Sequence, residues 1–434
     1  SGLTIRSGLI AGNGAGVIVG SGNVTLTDCA ITNNGTMLGS GFGGGLYNSP
    51  GASLSLVRCT LINNFAPTAG GGVYNDGTFT ATNCTFLQNV SVNGGGITSK
   101  FQNGAPSSVL RNCTVTGNYA TSTLTTSGEG GGGIYAEGGA QQFHLANTIV
   151  AVNSSSSNPQ TNPDVRGNFT SDGDNFIGII GFAAGLTNGV NGDQVGTSAQ
   201  PRNPLLDSAL RNNGGPTDTV ALLNGSTAIN AGNNNLAPVT DQRGYFRAGV
   251  SDIGAFEANG TPPPAVPVAS IVSRKIHIGA GSFEVLLPGV ECRTGGATGD
   301  YTVVFKFVNP LASVGTAGVT AGTGQVSASA IGTDTHEYVV SLTGVSNAQT
   351  INVGLTNVTD SLGNNSGMIA ASMGVLLGDT SGDGFVNGGD STQTRNRAGQ
   401  TASATNFRSD VNLDGFVNSG DSVIVRARSG TFVP

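Results

Sequence analysis

The sequence predicts an all-β chain. It opens with a right-handed parallel β-helix, continues into an immunoglobulin-like β-sandwich, and closes on a small domain of short helices and paired acidic loops. Three observations carry this reading. A nine-residue line recurs through the first third of the chain, a series of alternating apolar runs follows a Pro-rich stretch, and a twelve-residue acidic loop occurs twice near the end.

The recurring line reads Leu26-Thr-Asp-Cys-Ala-Ile-Thr-Asn-Asn34, and returns at 56–64, 81–89, 110–118 and 145–153. Each copy places a small residue (Cys29, Cys59, Cys84, Cys113, Thr148), an apolar residue two on (Ile31, Leu61, Phe86, Val115, Val150) and an Asn five on. A Gly triplet followed by an apolar residue alternates with it, at Gly43, Gly70, Gly94 and Gly131. Self-similarity at a period of roughly 25 to 35 residues marks a solenoid. The copies are too rich in Gly, Asn and Thr for helical repeats, and their β-branched runs between turn residues favour strands. Stacked at about 4.8 Å, the small residues and the Asn each form a ladder. The Asn is expected at left-handed corners and the Gly triplets at turns or close backbone approaches.

Composition narrows the class. Charged residues make up 10%, Gly accounts for 71 of 434 residues, Trp is absent and the net charge is -7. Strong periodicity argues against disorder, and without a basic patch nucleic acid is not expected as a partner. No apolar run reaches the length of a transmembrane segment. The opening Ser1-Gly-Leu-Thr-Ile5 reads as the middle of a coil, which suggests a processed, extracellular chain whose export signal is gone. The spacing of the four ladder Cys matches no metal site, and side chains stacked in register suit disulfides poorly, so buried free thiols are expected, Cys292 included.

Residues 1–258 are assigned to the β-helix with a C-terminal capping segment from about 156, because an open last coil would template aggregation. The segment carries Asn213-Gly-Gly-Pro-Thr217, Asp241-Gln-Arg-Gly244 and Ile253-Gly-Ala-Phe-Glu257. With the Gly-triplet lines, these residues resemble the middle repeats of polymorphic outer-membrane proteins and the choice-of-anchor Q segment of large exported bacterial proteins. That resemblance implies a right-handed β-helix on a secreted or surface protein. Residues 259–267 form a Pro-rich linker. Alternating runs at Phe283–Leu287, Thr302–Val308, Tyr338–Leu342, Ile351–Leu355 and Met368–Met373 place the sandwich at 268–376.

The chemistry sits in residues 377–434. Asp379-Thr-Ser-Gly-Asp-Gly-Phe-Val-Asn-Gly-Gly-Asp390 matches Asp410-Val-Asn-Leu-Asp-Gly-Phe-Val-Asn-Ser-Gly-Asp421. Hard oxygens fall at loop positions 1, 3, 5, 7, 9 and 12, with Gly at position 6 for the sharp turn, the pattern of a Ca²⁺ loop. The candidate ligands are Asp379, Ser381, Asp383, the Phe385 carbonyl, Asn387 and Asp390 in one loop. In the other they are Asp410, Asn412, Asp414, the Phe416 carbonyl, Asn418 and Asp421, for two Ca²⁺ ions in all. Asp at position 12, the Phe-Val-Asn core and the tandem arrangement resemble a type I dockerin. The resemblance implies a helix after each loop, at about 390–398 and 421–428, and docking onto a cohesin domain through loop positions 10 and 11. Here those positions hold Gly388-Gly389 and Ser419-Gly420 rather than a hydroxyl pair.

Charged residues of the coils (Asp28, Arg58, Asp76, Lys100, Arg111, Glu129, Glu137) are scattered, with Arg58 and Arg111 read as one coil position. Asp164, Asp172 and Asp174 are weighed as a further cation site and read as a loop turn. His144, His277 and His336 are read as having no His, Cys or carboxylate constellation around them, with His144 outward. The reading is therefore not an enzyme. It is an extracellular structural or adhesive protein, a self-assembling filament or surface subunit whose partner is a further copy or a cohesin-like domain. The alternative is a secreted polysaccharide-binding or polysaccharide-cleaving β-helix, with an extracellular glycan as ligand.

Overall fold

A computed structural model describes residues 1–37, 39, 41–100, 107–122, 130–138, 142–156 and 164–434. Glu129 lies outside them. The chain forms two compact units, Ser1–Pro262 and Pro263–Pro434, and the division falls inside the Pro-rich stretch.

The first unit is a solenoid of short parallel strands in four sheets, here I to IV in the order a coil visits them. Among the described residues sheet I has eight strands, from Thr4–Arg6 to Gln194–Val195, and each of the others has six. The recurring line sets the register of sheet I, where Ile5, Ile31, Leu61, Phe86, Val115, Val150, Ile177 and Val195 stack as one interior ladder. Side chains alternate across a strand, so Thr60, Thr85, Thr114 and Ile149 face the other way.

The corners are held by polar and small ladders. Asn34, Asn64, Asn89, Asn118 and Asn153 are buried, and the Oδ1 of each of the last four accepts the backbone N–H of the Asn before it at 3.0–3.1 Å. An Asn side chain carries both a donor and an acceptor, so the ladder satisfies each corner in turn. Left-handed backbone does not fall on these Asn, as the sequence suggested. It falls one residue earlier, at Asn33, Asn63 and Gln88, and on the residue before each small ladder residue, from Asp28 before Cys29 to Asn147 before Thr148. Cys29, Cys59, Cys84 and Cys113 are buried free thiols, and the Cys59 and Cys113 thiols donate to carbonyls of the preceding coil. The Gly triplets divide their labour. Gly70 has φ 65°, whereas a Cβ on Gly71 would stand 2.5 Å from the Gly95 carbonyl oxygen. Arg111 is not at the Arg58 position, since it pairs in register with Thr82.

Residues 164–196 extend the coils. Beyond them the chain runs back along the outer face of sheet I. Leu222, Ala228, Ile253 and Phe256 pack on Ile149, Ala151 and Phe176. Gln242 donates to the Thr60 hydroxyl at 2.8 Å and to the Cys59 carbonyl at 3.2 Å. The Asp-Gln-Arg-Gly and Ile-Gly-Ala-Phe-Glu motifs clasp each other. Arg243 lies between the Tyr245 and Phe256 rings, its carbon Cζ 4.2 and 3.7 Å from their centroids, and pairs with Asp241. Asp241 also accepts the Glu257 N–H, and Glu257 pairs with Arg247 at 3.0 Å.

The second unit begins with a two-sheet sandwich. One sheet is antiparallel and five-stranded, in the order Gly281–Leu286, Val268–His277, Tyr301–Phe307, Glu337–Thr343, Gln325–Ile331. The other is built on the long hairpin Gln349–Asp360 and Asn365–Val375, with Gly289–Glu291 added in parallel at one edge. Val303, Phe305, Val340, Ile351, Val353 and Met373 fill the space between.

Candidate calcium loops

Two nine-residue helices follow the acidic loops, α1 (Gly388–Asn396) and α2 (Ser419–Ala427). Each starts two residues before the position expected, because loop position 9 is its N-cap. Asn387 accepts the Gly389 N–H at 2.7 Å, and Asp390 reaches back to the Asn387 N–H at 2.8 Å. Asn418 and Asp421 repeat this capping box, with bonds at 2.6 and 2.9 Å. Position 12 is thereby fixed in direction, while the Asn side chains at position 9 are engaged with the helix.

In the first loop Asp379 is buried and saturated by its own turn. Its Oδ1 accepts from Ser381 Oγ at 3.1 Å, Gly382 N at 2.7 Å and Asp383 N at 3.2 Å, and its Oδ2 from Gly384 N at 2.9 Å. Asp383 accepts the Phe385 N–H at 2.9 Å, and Asp390 accepts the Ser381 N–H at 2.9 Å.

In the second loop carboxylate oxygens of Asp410, Asp414 and Asp421 all lie within 4.8 Å of one another. Asp410 and Asp421 are fully buried, and Asp410 Oδ1 has no hydrogen-bond partner. Burial, and then the charges of Asp410 and Asp414, push the Asp421 carboxyl above its usual range. Burial acts upward on Asp414 too, but donors from Phe416, Asn412 and Asn418 outweigh it and hold that carboxyl low. A buried cluster of like charges with an unpartnered oxygen fits a hard divalent cation. The residues that fit are Asp410, Asp414 and Asp421, with Asn412 beside them, its amide on Asp414 at 2.8 Å.

The sandwich supplies contacts that the sequence did not reveal. His277 is buried, with Nδ1 2.7 Å from Asp410 Oδ2 and Nε2 3.1 Å from an Arg293 nitrogen. The expectation that no carboxylate constellation surrounds a His fails at His277, whereas His144 meets the single carboxylate of Asp172 at 3.0 Å and His336 that of Asp334 at 2.8 Å. His144 does lie on the outward side of its strand. Asp164 does not join Asp172, because its oxygens hold Asn153 and Ile179. The loops share a core, Leu376, Val386, Val411 and Val425, with Val290 and Ala348 of the sandwich against it.

Among the described residues, no helix is long and apolar enough to cross a membrane. Residues 1–150 match the family model of the right handed beta helix region, and residues 377–428 that of the dockerin type I domain. No curated protein and no solved structure matches the chain. Type I dockerin domains bind calcium and dock onto cohesin domains, and proteins that bear them are generally extracellular or on the cell surface. The chain thus joins a right-handed β-helix region to a C-terminal type I dockerin domain.

Proposed function

We propose that this is an extracellular structural or adhesive protein without enzymatic activity, a rigid β-helix held to a protein partner through its dockerin domain once two Ca²⁺ ions order the loops. The observation that carries this is the pairing of a long solenoid with a docking module whose acidic second loop is built for a cation. The coils add support where their charges face each other from coil to coil. Arg58 pairs with Asp28 at 2.7 Å, and Lys100 stands in register with Glu137. One broad face, sheet I, is covered by the returning chain. Docking would use the exposed side of α1, where Gly388, Gly389, Thr392, Gln393, Asn396 and Arg397 line a shallow hollow. The partner is a cohesin-like domain or a further copy of the chain, assembling into a filament or surface layer. Light scattering with calcium separates these: particles that dissolve on chelation identify a self-partner, and a monomer that shifts only when a cohesin domain is added identifies the other. A monomer indifferent to both overturns the docking reading.

A second reading, contact with an extracellular glycan, has one observation behind it. On the outer side of sheet III the half-buried Tyr47 stacks on the buried Tyr74, with centroids 5.6 Å apart and rings 2° from parallel. Glycan-array binding lost in Tyr47→Ala would favour it.

A further inference from the structure

The two acidic loops are near-identical in sequence but not in surroundings. Asp379 has both oxygens satisfied inside its own loop. Its counterpart Asp410 receives only the Gly415 N–H from its loop, at 2.9 Å on Oδ2. The second donor on that oxygen comes from outside the dockerin domain, from His277 at the end of the sandwich strand Val268–His277. Oδ1 is left buried and unpartnered.

The tautomer of His277 follows from its other neighbour. Arg293 is a donor only, so His277 Nε2 accepts from it and Nδ1 carries the hydrogen that is given to Asp410. Arg293 is itself fully buried and held at every turn, by Glu291 on two nitrogens at 2.7 Å each and by the Phe283 carbonyl at 3.0 Å. Glu291 accepts the Ser273 hydroxyl in addition. Phe283 and Phe407 stack at 5.4 Å on the flank of the imidazole, with Phe283 edge-on to it at 5.1 Å.

Backbone contacts seat the same loop. The Ile278 N–H donates to the Leu413 carbonyl at 3.0 Å, and Leu413 sits at φ 69°, where the first loop has Gly382. A Cβ on Gly415 would lie 1.9 Å from the Ile278 carbonyl oxygen, whereas Gly384 in the first loop faces open space.

We propose that the second cation site is completed by the sandwich: His277 is a positioning residue that ties down Asp410 Oδ2 and so presents Oδ1 to the Ca²⁺ ion, while the first loop relies on itself. This rests on the calcium reading of the loops. A residue that orients a metal-bound carboxylate typically governs affinity by about tenfold or more.

The test is calorimetric titration of the full chain with Ca²⁺, comparing wild type, His277→Asn and His277→Gln. The amide nitrogen of Asn overlays Nδ1 and can still donate to Asp410, whereas that of Gln overlays Nε2 and faces Arg293. One of the two sites should weaken about tenfold or more in H277Q, the other should hold, and H277N should recover most of the loss. A purely structural role would affect both variants alike. Two sites unchanged in H277Q overturn this proposal alone, and a wild-type chain that binds no calcium overturns the calcium reading and this proposal together. Should H277Q fail to fold, the wild-type chain suffices: the His277 ring resonances should move as one of the two sites fills, and a ring that ignores calcium overturns the assignment.

Discussion

Thr85 donates its hydroxyl hydrogen to Gln242 Oε1 at 2.6 Å across 157 residues of chain, and both side chains are buried. The same Gln242 amide nitrogen reaches Thr60 and Thr217 at 2.8 and 3.0 Å. One side chain thus satisfies hydroxyls on two successive coils of sheet I and fastens the returning segment over them. Gln242→Ala would strand these groups without water. We expect a loss of roughly 2–4 kcal/mol from the β-helix transition, measured by denaturant unfolding. A loss below about 0.5 kcal/mol, the usual effect of surface substitutions, would mean that the segment is only loosely laid on the sheet.

Cys84 sits at the middle of the small-residue ladder, wholly buried, with its sulfur 3.4 Å from the Cys59 N–H. Burial first, and then the neighbouring Cys113, push its thiol well above the ordinary range. Reaction with a thiol reagent should therefore wait for unfolding, so that labelling and the loss of circular dichroism share one rate. Cys84→Arg would bury an unpaired charge and cost roughly 3–5 kcal/mol. Fast labelling in the folded protein would show that the ladder is open.

The Asn ladder ends on an acid. Asp164 takes the place of a further Asn, with Oδ1 on Asn153 and Oδ2 accepting the Ile179 N–H at 2.7 Å. Burial pushes its carboxyl up to about 7, against the pull of the Asn153 and Ile179 donors. An acid raised on folding binds its proton more tightly in the native state. Its contribution is therefore fully present below about 4, the unfolded value, and is lost as pH rises to about 7. Wild type should lose stability over that interval relative to Asp164→Asn, which has no proton to release there. Parallel pH profiles for the two proteins would exclude this titration.

Much of the solenoid was legible because its signal is repeated. Each coil restates the apolar, small and Asn positions, so one misread residue is outvoted by its ladder. The corners were legible in composition but not in detail, since Asn34 and Asn33 differ in backbone and not in type. The course of 197–257 over sheet I was hidden, because Thr60, Thr85 and Gln242 are ordinary polar residues until brought together. The acidic cluster of the second loop was legible from the spacing of Asp410, Asp414 and Asp421. The role of His277 was not, since its partner Asp410 lies 133 residues away and no periodicity links a strand end to a loop. The nearest clue was local: Glu291-Cys-Arg293 places two opposite charges beside a buried thiol, a sign of a satisfied charged network.

Calcium removal tests how far the loops stand alone. Asp410, Asp414 and Asp421 gather within 4.8 Å, so chelation leaves their repulsion unbalanced in a buried setting. Their domain is not independent of the sandwich. Arg408 donates to the Val290 carbonyl at 2.9 Å and to the Asp379 carbonyl at 2.8 Å, and the Thr294 N–H donates to the Val411 carbonyl at 2.9 Å. Calorimetry should show one transition for Ser1–Pro262 that ignores chelator. The transition of Pro263–Pro434 should fall in temperature as the ions leave. A ligand at a thousandfold excess over its dissociation constant stabilises the folded form by about 4 kcal/mol per site, so the shift should be readily resolved. α1 and α2 should lose their amide protection with it, because Asp390 and Asp421 serve both the loops and the helix caps. If the second transition stays in place, the acidic loops fold without a cation and calcium has no structural part in this protein. If both transitions move together, the loops hold the β-helix as well, and the two units do not unfold separately.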